Sequence, residues 1–252
     1  MSTAAMAAPA PRAAADEAAM ALELRDLHAW YGESHVLHGV DLQVPQGRTV
    51  CLLGRNGAGR TTTLRAIMGL TSARSGTLKV FGHDLARVPA HRVARLGVGY
   101  CPEERGIFAS LSTRENLLLP PVLRNGAAGL SLQEIDELFP NLKERARSQG
   151  TRLSGGEQQM LALARILRTG ARLLLLDEIS EGLAPVIVQA LGRAIKTLRD
   201  RGFSILLVEQ NFHFSARLAD TFYVMERGRI IEHFTREELP GKQQTLQQLL
   251  GV

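Results

Sequence analysis

Four short apolar runs constrain what this chain can fold into. Residues 49–53, 98–101, 173–176 and 205–208 are continuous hydrophobic stretches rather than alternations of polar and apolar side chains. A strand that alternates buries one face, whereas a strand apolar throughout buries both, as parallel strands do between layers of helices. A glycine-rich segment, 54–59, follows the first run, and residues 60–68 carry a helical pattern. Strand and helix therefore alternate, and the fold class is α/β with a parallel sheet. Two stretches depart from that core. Residues 22–44, together with 77–81, read as an antiparallel β patch with turn residues, and 112–167 has helical periodicity without a clear strand.

The chain has 252 residues, enough for one large domain or two small ones at roughly 150 residues each. No internal repeat or Gly/Ser/Pro-rich linker divides it, so residues 21–252 read as a single domain with a helical insertion over about 105–168. Residues 1–20 read as a disordered Ala/Pro-rich tail without a secretory pattern. With 45% apolar and 22% charged residues, the composition excludes both a disordered chain and a fibre. The longest apolar runs fall far short of the roughly 20 residues that cross a bilayer, so any membrane role is expected to come through a partner. The net charge of +5 is spread along the chain and selects no partner. Two cysteines, Cys51 and Cys101, are too few for a disulfide framework or a structural zinc site, and a reducing cytoplasm is expected.

The chemistry concentrates at Gly54-Arg55-Asn56-Gly57-Ala58-Gly59-Arg60-Thr61, between the first run and its helix. A glycine-rich loop in that setting turns backbone N–H groups toward a triphosphate and presents it to the positive end of a helix. Glycine permits the close approach, and the Thr61 hydroxyl is placed to ligate Mg2+. Position 60 departs from the pattern, which has lysine. A compact ammonium slips between β- and γ-phosphates, whereas a guanidinium is larger, planar and forked. Since 26 of the 30 basic residues are arginine, Arg60 has a compositional reading beside the functional one of a site tuned to bind without turnover. Residues 173–178 form a hydrophobic strand ending in two acids: Asp177 near the metal, and Glu178 at the strand mouth to polarise an attacking water. Upstream, Leu153-Ser154-Gly155-Gly156-Glu157-Gln158-Gln159 opens a helix, so Ser154 and the amides after it form a second anion-binding N-terminus.

With these residues in view, the sequence resembles the ATP-binding subunit of ABC transporters over essentially everything after the tail. The Leu-Ser-Gly-Gly-Glu-Gln-Gln segment matches the family signature, and Asn-Gly-Ala-Gly before position 60 and Leu-Leu-Leu-Asp-Glu match as well. Ser180-Glu181-Gly182-Leu183-Ala184-Pro185 and Val208-Glu209-Gln210-Asn211 look like the branch serving importers of branched-chain amino acids, with urea and short-amide importers as relatives. The resemblance implies a P-loop NTPase core, an N-terminal antiparallel β patch and a helical subdomain. It implies ATP and Mg2+ as cofactors, held in a head-to-tail pair between one chain's phosphate loop and its neighbour's signature. Carried onto this sequence, Tyr31 stacks on the adenine, with Trp30 as a competitor. Gly54, Asn56, Gly57, Ala58, Gly59, Arg60, Thr61 and Thr62 hold phosphates. Thr61 and Asp177 serve Mg2+, Glu178 is the catalytic base, and Ser154, Gly155, Gly156 and Glu157 act on the neighbour's nucleotide.

Three further positions differ from the family's usual residues. Glu103 stands where many members have Gln, and as a carboxylate it can reach Mg2+ or its water. Gln210 occupies the switch position, often His, and can hydrogen-bond a γ-phosphate oxygen without carrying charge; nearby His213 reads as an ordinary loop or helix-start histidine. Ile179 replaces the usual Pro, and the lost rigid φ predicts a looser base.

The implied partners are membrane-spanning permease subunits, met by the helical insertion including Leu111, Glu115 and Asn116. A sister ATP-binding subunit or a second copy of the chain completes the pair, and a periplasmic solute-binding protein is an indirect partner. The implied place is peripheral, at the cytoplasmic face of the inner membrane.

Two readings follow: an ATPase that energises an importer, or a hydrolysis-impaired regulatory subunit that lends its signature to a competent partner. A nucleic-acid ATPase is the third class. Such proteins commonly carry two cassettes or a long coiled-coil insertion, the chain carries neither addition, and no nucleic acid is expected as partner.

Overall fold

The computed structural model describes residues 19–123 and 128–250. The expected tail is corrected at its end, because Met20 already begins the first strand; residues 1–18 of it lie outside the described residues. In chain order the strands are β1 Met20–Tyr31, β2 Ser34–Pro45, β3 Thr49–Gly54, β4 Ala73–Val80, β5 His83–Asp84, β6 Val98–Cys101, β7 Leu173–Asp177, β8 Ser204–Glu209, β9 Thr221–Glu226 and β10 Arg229–Thr235. The α-helices are α1 Arg60–Met68, α2 Ala90–Val93, α3 Thr113–Leu118, α4 Leu132–Leu138, α5 Pro140–Glu144, α6 Gly155–Leu167, α7 Pro185–Asp200, α8 Phe212–Ser215 and α9 Gln243–Leu250.

The larger sheet runs β10-β9-β3-β8-β7-β6. Its pairs from β9 to β6 are parallel, and β10 closes the edge antiparallel to β9. Every residue of β3, β7 and β8 is buried, as continuous apolar runs require. The side chains of each strand divide between two cores. Leu173, Leu175, Leu206 and Val208 face α1 and the second, antiparallel sheet of order β2-β1-β4-β5, whereas Leu174, Leu176, Ile205 and Leu207 face α6 and α7. Each such leucine, truncated to alanine, would cost about 2–5 kcal/mol.

The four apolar runs are strands of this sheet, and the antiparallel patch and the helical stretch stand where the sequence placed them. Sequence reading missed β9 and β10. The signal was present in the apolar residues 222–225, which pair with β3 on the side away from β8. One expectation for the insertion is corrected. Asn116 is fully buried, its side-chain N–H groups donating to the carbonyls of Phe108, Leu111 and Ser112, while its Oδ1 accepts from the Phe108 N–H. It braces the turn before α3 and does not face outward. Glu115 closes a capping box with Ser112.

Candidate active site

The carboxyl ends of β3, β7 and β8 converge, and the polar residues that follow them form one cluster. After β3 the chain makes a glycine loop into α1. Gly57 and Gly59 adopt φ of 79° and 110°, a left-handed region that L side chains resist. Gly54 is required for space, because a Cβ there would lie 2.6 Å from the Met225 carbonyl oxygen. Gly59 is the N-cap of α1 and offers no side-chain cap, so the helix begins without a side chain claiming its first N–H groups. Asn56 and Gly57 are exposed at the loop's crest, Ala58 and Gly59 are buried, and Thr62 is half-buried in the first turn.

Arg60 points inward, 4% exposed. Its Nη1 donates to the carbonyls of Gly54 and Glu209, and its Nη2 donates to Asn56 Oδ1 and forms an ion pair with Glu178 Oε1. Next along α1, the Thr61 hydroxyl donates to Asp177 Oδ1 at 3.1 Å, and the Tyr100 hydroxyl donates to Asp177 Oδ2 at 3.2 Å. Burial pushes the Asp177 carboxyl up to about 6, against the pull of those two donors, with Glu178 and Glu103 adding repulsion. A fully buried carboxylate beside a hydroxyl is an oxygen donor set that suits a small hard cation, so the residues fit Mg2+.

Glu178 takes a left-handed backbone, φ 48°, and its N–H donates to the Val208 carbonyl at 2.9 Å. A non-glycine residue held there costs on the order of 1–3 kcal/mol, and such residues cluster at working sites. The Glu181 N–H donates to the Glu178 carbonyl at 3.2 Å, and the neighbouring Glu178 carboxyl raises the Glu181 pKa. Ile179 corrects the expectation of a loose base: it is 1% exposed in the core beneath α6 and α7, so packing holds the segment in place of a proline ring. Gln210 is exposed and lines a cleft of about 760 Å3 together with Glu178, Glu181 and His213. Glu103 is exposed in the turn after β6, near enough to Asp177 and Glu181 to raise both.

Sequence reasoning missed Glu209 and Tyr100. Glu209 is 1% exposed and accepts from the Ser180 N–H at 3.1 Å and the Ser180 hydroxyl at 2.8 Å, tying the segment after Glu178 to the end of β8. Burial pushes its pKa up to about 7. Tyr100 pairs with Leu175 across β6 and β7, which sets it on the face that Asp177 shares two residues on.

Tyr31 ends β1, half-buried, and the nearby Tyr31 and Tyr100 phenols raise the pKa of the Arg65 guanidinium. Trp30 lies flat on His35, ring centroids 4.4 Å apart at 12°, so one face of its indole is already covered. Ser154, Gly155, Gly156 and Glu157 stand apart from this cluster at the start of α6. Ser154 caps the helix in a reciprocal box with Glu157, Arg145 pairs with Glu157 at 3.3 Å, and the Arg105 guanidinium lies over Gly155. Among the described residues, the side-chain hydrogen bonds of Ser154 and Glu157 run to each other and to Arg145, not to the Arg60 cluster.

The arrangement, a glycine loop at a helix start, a buried acid with a hydroxyl and a second acid beside it, is chemistry for a polyphosphate. Comparison with known proteins agrees. The family model described as ABC transporter matches residues 37–181. The high-affinity branched-chain amino acid transport ATP-binding protein BraG of Pseudomonas aeruginosa is 40% identical over 215 residues, 85% of this chain and 92% of that protein. The lipopolysaccharide export system ATP-binding protein LptB of Escherichia coli K12 is 33% identical over 86% of this chain and 92% of its own. A solved structure of the ATP binding subunit of an ABC transporter superposes with a TM-score of 0.73 at 30% identity, covering 92% of this chain and 95% of that one. The chain belongs to the ABC transporter family, as one of its ATP-binding subunits.

Proposed function

We propose that this subunit binds MgATP in the glycine loop and hydrolyses it to drive an importer of branched-chain amino acids or closely related solutes. The observation that carries the reading is the meeting of the loop, Thr61, Asp177 and Glu178 at the carboxyl edge of the parallel sheet. In this reading Gly54, Asn56, Gly57, Ala58, Gly59, Arg60 and Thr62 cradle phosphates and Tyr31 stacks on the base. Thr61 and Asp177 hold Mg2+, with Glu103 reaching its water; the ion, when bound, neutralises charge that develops on the phosphates. Glu178 orients and deprotonates the attacking water, and Gln210 contacts the terminal phosphate. Ser154, Gly155, Gly156 and Glu157 complete the neighbour's site in a head-to-tail pair, with a sister subunit or a second copy as neighbour. Residues 21–252 act as one ATP-binding domain.

No helix of the described residues is long and apolar enough to cross a membrane, and ABC ATP-binding subunits work with membrane permeases. Phe108, Leu118, Leu119 and Val122, each about half exposed, put an apolar patch on the insertion, which supports docking of a permease there from the cytoplasmic side. The solute class rests on the higher identity to the branched-chain protein, 40% against 33% for the export protein. The reading as a hydrolysis-impaired assistant is not favoured beside relatives that are transport ATP-binding proteins.

The test is uptake by vesicles that hold the permease, this subunit and its ATP-binding partner, with the solute-binding protein supplied. Leucine, isoleucine and valine are expected to accumulate only when ATP is present on this subunit's side. ATP-driven transport of other solutes alone would move the chain to another branch.

A further inference from the structure

The residue at position 60 does more here than supply charge. Arg60 is almost fully enclosed, and its forked head spends both ends on the protein: one on the carbonyls of Gly54 and Glu209, the other on Asn56 Oδ1 and the Glu178 carboxylate. A lysine ammonium is a single point and cannot span the loop carbonyl and the carboxylate from the two ends of a fork. Glu178 is enclosed as well, its side chain 10% exposed, and its carbonyl accepts from the Glu181 N–H at 3.2 Å. The Oε1 atom that holds the guanidinium is not free to align a water, and the pairing fixes how the second carboxylate oxygen points.

We propose that Arg60 is a phosphate-operated lock on Glu178. Paired with Glu178, the guanidinium holds the base; a terminal phosphate arriving in the cradle draws the guanidinium to itself and frees the carboxylate. The substitution then gates hydrolysis on occupancy instead of abolishing it. The inference rests on the ATPase reading, in which Glu178 is the base, and adds a regulatory step to that site. The ligand that operates the lock is the terminal phosphate of a nucleoside triphosphate, the anion with enough charge to compete with a buried carboxylate for a guanidinium.

A double-mutant cycle on the full chain tests it, reading equilibrium binding of the non-hydrolysable analogue AMP-PNP with Mg2+ to wild type, Arg60→Lys, Glu178→Gln and the double variant. General repulsion between Glu178 and the phosphates affects both backgrounds and cancels in the cycle. With Arg60 present, Glu178→Gln is expected to tighten binding about tenfold, the scale of one hydrogen bond to a charged group, and in the Arg60→Lys background by less than about threefold. Equal tightening in both backgrounds overturns the lock while leaving the ATPase reading intact. A crystal structure with AMP-PNP bound gives a second readout that needs no affinity: Arg60 off Glu178 supports the lock, and Arg60 still paired with it overturns it. Failure of all four proteins to bind the analogue overturns the ATPase reading, and the lock falls with it.

Discussion

Glu209 shows how much a single side chain at this site can bias the molecule. Burial raises its pKa to about 7 despite the Ser180 donors. Between the ordinary glutamate pKa and about 7 the native protein therefore binds more protons than the unfolded chain. Its contribution to stability falls as pH rises through that window and is level above it. The stability difference between Glu209→Gln and wild type is expected to grow in the variant's favour by up to about 3 kcal/mol from pH 4.5 to 8. Urea denaturation at several pH values measures it, and a pH-independent difference would rule the effect out. Asp177 and Glu178 were legible as acids ending one apolar run and Thr61 as a hydroxyl opening the helix after another, and the fold brings them together. Tyr100 and Glu209 were not, because what they touch is set by strand pairing, Tyr100 opposite Leu175 and Val208 opposite Asp177. Arg60 was legible as an anomaly, but its pairing with Glu178, 118 residues away, was not.

Among the elements, α6 opens on a cap that the structure shows and a proposed role toward a neighbour's nucleotide, and the two can be pulled apart. Its N-terminus is closed by the Ser154 hydroxyl, which accepts from the Glu157 N–H, and by Glu157, which accepts from the Ser154 N–H at 2.7 Å. Ser154→Ala is expected to cost about 1 kcal/mol of stability through the lost cap. Ser154→Asp keeps a capping oxygen, so stability stays within about 0.5 kcal/mol of wild type, while its negative charge repels the phosphate of a neighbour's nucleotide. Hydrolysis by the assembled pair is then expected to fall at least about tenfold. If the aspartate variant hydrolyses ATP normally, this helix end serves only as a cap. The cap, the glycine loop and the apolar strands announce themselves locally. The role of α9 does not: Arg55 in the loop donates to the Leu249 and Gln248 carbonyls at 2.9 and 3.1 Å, a contact that only the completed fold brings together across 194 and 193 residues. A cation at the end of that helix also meets the negative pole of its dipole.

At the scale of the whole molecule, the parallel sheet does the organising. Its alternating side chains feed a core on each face, and its carboxyl edge gathers loops that follow three different strands into one site, the place where open α/β sheets bind ligands. The sheet's class was readable from four apolar runs, whereas its width was not, since β9 and β10 lie near the end of the chain and β3, on which β9 pairs, lies near the beginning. Steady-state hydrolysis by the assembled transporter reads out whether this edge turns over ATP with Glu178 as the base. With wild-type subunit, turnover is expected; with Glu178→Gln, turnover falls at least about 100-fold, the lower end of what general-base loss costs, while MgATP binding persists. Undiminished hydrolysis by the glutamine variant would contradict the account.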